Sequence, residues 1–322
     1  MEPSKRLIDS EIIGKEIIGD VLPLYGDLET NLTKMVEKFY DKYASSPLDP
    51  NEINKIMTVQ ERREFKEAVR PNLERLEFTV SDIYSKQDLS QMTRLQGLRE
   101  QARWEIEVLS EKEEGIQREG YSRIAVNSYL LAGAFVAKEL PAKKTSQIIN
   151  KKIAGENWSS RIWGNNRKLR KQVLSKINEG ISKGWSPDRM VSQIRQRVDV
   201  GKYNTTRVVR TESNRINGDA TIERFKADGV KYYEFLADLD NDTSSICMEL
   251  NGQVFRVDEA EEGVNRNPMH VNCRSNIKEL TDEEAEKMGV KSREEAVEMR
   301  EKAERESEKQ RKERIANRDS RV

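Results

Sequence analysis

Val230-Lys-Tyr-Tyr-Glu-Phe-Leu-Ala237 is where this chain changes character. Aromatic and branched residues crowd it, which marks a strand, whereas nearly everything before it follows helical spacing. Gln253-Val-Phe-Arg-Val257, after an Asn251-Gly252 turn, reads as a second strand. Cys273 to Leu280 supplies a third. A small α+β module is therefore expected over 201–280, with long loops between its strands.

Those loops hold the scarcest residues of the chain. One histidine and two cysteines occur among 322 residues, and they are Cys247, His270 and Cys273. His270-x-x-Cys273 is the short spacing by which one loop presents two ligands to zinc, and Cys247 adds a third. A tetrahedral site takes a fourth ligand. The carboxylates nearby are Asp238, Asp240 and Asp242, with Asp240 taken as the metal ligand. The same residues also fit a metal-free cluster of buried thiols. A calcium loop is a poorer fit to Asp238, Asp240, Asp242, Ser244 and Glu249. Its sharp turn needs glycine where Thr243 stands, and a strand precedes it instead of a helix. Structural zinc is the expected cofactor. Without a signal-type apolar segment at the amino terminus, the two cysteines read as thiols or ligands, not as a disulfide.

Upstream, a helix from Tyr203 to Ala227 carries Arg210-Thr-Glu212 and stops at Gly229. Ser186 caps and Pro187 opens an earlier helix that buries Met190, Val191, Ile194 and Val198 and ends near Gly201. Leu169, Val173, Ile177 and Ile181 form the stripe of another, closed by Gly184. Pro141 marks a boundary. Before it, Leu32, Met35, Val36, Phe39, Tyr40 and Tyr43 line one helix face, and Ser45 to Pro50, with Pro47, breaks that helix. One or two more helices are expected from Asp82 to Lys138, with Leu89, Met92 and Leu95 at spacing three and an apolar patch at Tyr129 to Val136.

The expected architecture is mainly α with a small α+β C-terminal module. It divides into a long helical N-terminal region 1–140, a basic helical region 141–200, the module 201–280 and a charged tail 281–322. Glu295 to Arg314 of that tail reads as a solvated helix that stays flexible without a partner. Charged residues make up 35% and aromatics 6%, which favours long amphipathic helices over a sandwich or barrel. No apolar run is long enough to span a membrane.

Net charge is zero, yet unevenly spread. Residues 141–210 hold 17 Lys and Arg against 4 acids, and residues 211–263 hold 13 acids against 5 bases. Solvated helix faces account for such runs, and so does a polyanionic or acidic partner. The basic residues singled out for contact are Lys151, Lys152, Arg161, Arg167, Lys168, Arg170 and Lys171. Trp158, Trp163 and Trp185 lie among them and read as core, with stacking on nucleotides as the alternative. No Walker loop, dinucleotide fingerprint or nucleophile elbow occurs, and no catalytic residue is assigned. One histidine cannot comfortably serve as both base and metal ligand.

From Ile162 to Ser275 the chain resembles the Mu F-like phage head-morphogenesis proteins. The resemblance rests on Arg161-Ile-Trp163, Arg210-Thr-Glu212, Asp240, Thr243-Ser244, Cys247, Leu250, Gly252, Phe255, Gly263, Pro268, His270, Cys273, Arg274 and Ser275. The chain departs from the pattern at Asp242, where a basic residue is frequent, at Asn267, in place of the first of two prolines, and at Val271, in place of a proline. The resemblance implies a minor capsid protein made in the host cytoplasm and packaged in the virion, inside the head near the portal. It implies the portal protein as partner during procapsid assembly, with scaffold, major capsid protein and double-stranded DNA as further partners, and possible escort of DNA at ejection. The basic residues would then contact DNA or portal, gaining affinity by releasing phosphate counterions. Some members carry a toxin or enzyme domain after this module; the 42 residues beyond Leu280 are too few and too charged for one. A metal-dependent hydrolase or nuclease-type effector is the alternative.

Overall fold

The computed structural model describes residues 3–43, 49–133, 139–153 and 155–319. The expected break at Pro47 and the end of the apolar patch, from 134 to 136, lie outside the described residues. In chain order the elements are α1 Pro3–Tyr43, α2 Pro50–Ile53, α3 Val59–Arg75, α4 Val80–Ile83, α5 Lys86–Gln91, α6 Arg94–Leu131, α7 Ala142–Ile149, α8 Trp158–Ser182 and α9 Pro187–Asp228. There follow β1 Tyr232–Leu236, α10 Ser245–Leu250, β2 Val254–Arg256, β3 Asn276–Leu280, α11 Asp282–Met288, β4 Val290–Lys291 and α12 Arg293–Asp319. The protein is mainly α with a small mixed module toward its C-terminus, as expected.

Two compact units emerge. A helical unit comprises Ile17–Gln117 and Ala154–Thr206; a mixed unit comprises Met1–Glu16, Arg118–Ile153 and Arg207–Val322. Each gathers separated stretches, so neither coincides with any one of the segments 1–140, 141–200, 201–280 or 281–322.

In the helical unit, Val21, Tyr25, Leu28, Leu32 and Val36 recur at helical spacing along α1 and are buried. Leu169, Val173 and Ile177 of α8 and Ile194 and Val198 of α9 are buried in the same unit. Trp158 and Trp185 are core residues, and Trp163 is half-buried with its Nε1 donating to Glu114 at 2.8 Å. Burial leaves Trp158 and Trp185 no face to stack on a nucleotide. A second cluster packs Phe65, Val69 and Leu73 of α3 on Leu89, Met92 and Trp104, and a Thr58–Glu61 capping box fixes where α3 begins.

One expectation fails here. α9 does not end near Gly201 but runs unbroken from Pro187 to Asp228. Gly201 serves close packing: a Cβ there would lie 2.7 Å from Cε1 of Tyr25. The start of α9 agrees with the sequence, since Ser186 Oγ accepts from the Arg189 amide at 3.3 Å. So does its end, where Gly229 takes φ +73° and the Val230 amide donates to the Phe225 carbonyl at 2.9 Å.

The mixed unit carries a four-stranded sheet in the order β3-β1-β2-β4. β1 is antiparallel to β2, with Tyr233 opposite Phe255, and to β3, with Phe235 opposite Ile277; β2 and β4 are parallel. Alternation along β1 sends Tyr233 and Phe235 into a core with Phe225, Leu250, Phe255, Ile277 and Ala296. Tyr232 points to the other face, where Val254, Leu280 and Ala285 of α11 gather. The two-residue β4 was too short to read from sequence.

The charged tail is a second correction. α12 does not stay apart awaiting a partner. Its Ala296 and Ala303 are buried, Val297 and Met299 pack on the core, and Ser245 Oγ donates to the Ala303 carbonyl at 3.3 Å. Small side chains let it lie close to α10, and alanine carries too little apolar signal to announce such a stripe. Among the described residues no helix is long and apolar enough to cross a membrane.

Candidate metal centre

Two backbone devices bring the scarce residues together. Ser244 caps α10, its Oγ accepting from the Cys247 amide at 3.2 Å, and the first helical turn directs Cys247 inward, where it is 2% exposed. Across from it, His270-Val-Asn-Cys273 folds into a tight turn closed by the Cys273 amide on the His270 carbonyl at 3.2 Å. Asn272 supplies the left-handed residue of that turn at φ +61°, and its amide donates to Thr211 Oγ1 of α9 at 3.2 Å. His270 and Cys273 thereby face the same side.

Cys247 Sγ lies 3.3 Å from His270 Nε2 and 3.8 Å from Cys273 Sγ, and the three ligand atoms all fall within 4.8 Å of one another. A disulfide would need about 2.05 Å between the sulfurs. A tetrahedron with metal–sulfur bonds of about 2.3 Å and a metal–nitrogen bond of about 2.0 Å has edges of about 3.8 Å and about 3.5 Å. The donor types suit a metal such as zinc, and the two shorter separations lie near those edges. His270 Nδ1 sits 2.9 Å from the Val271 carbonyl, which can only accept. The proton of a neutral ring thus resides on Nδ1, and Nε2 turns its lone pair toward the thiols, the tautomer a metal requires.

The two thiols are unequal. A hydrogen bond from Cys273 lowers the Cys247 thiol to about 6. The same bond, with burial, pushes the Cys273 thiol well up. Ser275, close by, acts to lower both thiols. Metal binding to this pair would displace the shared proton.

Asp240 is not the fourth member. Its carboxylate is held by Arg274 Nη2 at 2.6 Å and by the Asp242 amide at 2.8 Å, which keep it below the usual carboxylate range. Arg274 also reaches Asp238 at 3.2 Å. The guanidinium of Arg274, next to Cys273 in sequence, thus pairs with both acids. The remaining calcium-loop positions are dispersed too, since Ser244 is a helix cap and Glu249 pairs with Lys302 at 3.1 Å.

Beneath the loop lies a polar layer that the sequence reading missed. Arg215, 1% exposed, bonds Glu212 at 2.6 Å and Asp219 at 2.9 Å, and donates to the carbonyls of Ile148 and Ile149 that end α7. Arg266 meets Asp219 at 2.7 Å. Asn267 Nδ2 donates to Asn214 Oδ1 at 3.0 Å, and Asn214 Nδ2 donates to the Ser275 carbonyl at 2.9 Å. α9 thus grips the loop at both ends, and Asn267, a departure from the pattern, is an anchor. Gly218 makes room, since a Cβ there would lie 2.5 Å from Arg266 Nη1.

The seven basic residues have different surroundings. Lys151 belongs to the polar layer, pairing with Asp219 at 2.9 Å and Glu262 at 3.3 Å. Arg170 pairs with Glu107, and Arg161 is half-buried. Lys152, Arg167, Lys168 and Lys171 are exposed. Lys144 also meets Glu223 at 2.9 Å, so part of the basic stretch is neutralised by the acidic one within the mixed unit.

Residues 171–278 match the model of the family described as Phage Mu protein F like protein. The match takes in the C-terminal half of α8, all of α9, β1, α10, β2 and the three clustered ligands. No curated protein and no solved structure matches the chain.

Proposed function

With residues 171–278 standing as a Mu F-like segment, we propose that this chain is a minor head protein acting in the morphogenesis of a phage head. That match carries the reading. In the finer form of the proposal, the protein works at the portal vertex during procapsid assembly, is packaged in the virion and accompanies DNA at ejection. Portal, scaffold and major capsid protein are its proposed partners. Arg167, Lys168 and Lys171, exposed on neighbouring turns of α8, are the residues proposed for an acidic partner surface or DNA.

The cluster enters this proposal as a structural zinc site. Zinc would tie α10 to the 266–275 loop and so hold the two cross-connections of the sheet together. His270 enters this reading as a ligand, its Nε2 facing Cys247 at 3.3 Å.

Quantitative mass spectrometry of purified virions and procapsids from the producing phage tests the reading. A few copies per virion, lost on triggered DNA release, would support head location and DNA escort together. Presence in procapsids alone would support an assembly factor. Absence from both particles would overturn the proposal.

A further inference from the structure

Resting on the zinc reading, we propose that the centre is open. Cys247, His270 and Cys273 form its whole protein ligand set, and the fourth coordination position takes a small Lewis base from solution, with water displaceable by a small thiol. The chain holds no third cysteine or second histidine, so a further protein donor of the kind zinc favours would be a carboxylate. The nearby carboxylates are committed elsewhere, Asp238 and Asp240 to Arg274 and Glu249 to Lys302. Among the described residues no acid joins the group. Ser275, two residues after Cys273 and 2% exposed, is a neutral alcohol and a poor zinc donor at neutral pH. Access comes from the histidine side. His270 is half-exposed, and the flanking Val271 and Met248 are 48% and 53% exposed, whereas both cysteines are buried. Three protein ligands with one position left free is the arrangement that lets external ligands reach zinc.

Cobalt(II) substitution of the full chain, read by visible and near-ultraviolet absorption, tests this with 2-mercaptoethanol as the probe. In the wild type, cobalt should give thiolate charge-transfer bands, and the thiol should intensify them and shift the visible bands. Ser275→Ala should respond in the same way. Ser275→Cys should close the site: its spectrum should resemble the thiol-treated wild type from the start and ignore added thiol. Its affinity should rise by more than about tenfold, the low end of what outer-shell changes alone produce. Cobalt uptake with no response to thiol in the wild type would overturn this inference and leave the metal reading intact. No uptake, or uptake undiminished in a Cys247→Ser, Cys273→Ser double variant, would overturn both.

Discussion

Glu113, on α6, is 1% exposed and has no Lys or Arg among its hydrogen-bond partners. The Tyr25 hydroxyl donates to it at 3.0 Å, the Asn166 amide at 2.9 Å and the Gln117 amide at 2.9 Å, with the Thr205 hydroxyl as a fourth donor. Burial raises its carboxyl above the ordinary carboxylate value, and burial followed by Glu113 itself raises Tyr25. A folded-state value above the unfolded one means that the contribution to stability is complete in acid and is lost as pH rises through the folded value. As pH rises above the ordinary carboxylate range, wild-type protein should therefore lose thermal stability more steeply than Glu113→Gln, which keeps the shape without the charge. Equal slopes in melts of the two proteins would refute this. Cys247, His270 and Cys273 were legible in the sequence because rarity and spacing are local facts. The pairing of Asp240 with Arg274 was not legible because the two stand 34 positions apart, and the burial of Arg215 was invisible because a charged side chain reads as solvated wherever it stands.

Helices with strong apolar stripes were the readable elements. Leu169, Val173, Ile177 and Ile181 lie where their spacing puts them, all buried. The misreadings share one cause: small residues whose meaning depends on what packs against them. Gly201 looks like a helix stop and is a contact, and the alanines of α12 look neutral and are core. Gly201→Ala should lower stability by about 1–2 kcal/mol, overpacking outweighing the gain in helix propensity. Gly26→Ala, in α1 with nothing within 4 Å of the added carbon, should raise it by about 0.5–1 kcal/mol. Urea denaturation of the two variants gives opposite shifts if the packing account is right. α12 supplies a second contrast. Ending the chain after Ser292 removes Ala296, Val297, Met299 and Ala303 from the core and should markedly destabilise the mixed unit. Ending it after Glu306, beyond Ala303, should change stability by less than about 0.5 kcal/mol. A mild effect of the longer truncation would show that α12 is not part of the core.

At the scale of the molecule, the mixed unit holds the candidate metal ligands and the helical unit holds Glu113. Stripping metal with a chelator should accordingly speed hydrogen exchange over 244–277 while leaving 162–181, the buried face of α8, at its former rate. Uniform acceleration in both stretches would contradict a site that fastens only its own loops. Which stretches gather into each unit was not legible, because contacts between distant segments leave no periodic trace in either. The interleaving has a consequence for synthesis. Every residue of the helical unit has been made once Thr206 is joined, whereas the mixed unit must combine Met1–Glu16 with α12 and lacks its buried Ala303 until 97 residues later. At about 5–20 residues per second, that interval is on the order of 5–20 s. During it Cys247 and then Cys273 emerge before the helix that packs against α10 exists, so the newborn chain passes through a window in which both sulfurs are bare to whatever ion the cell offers.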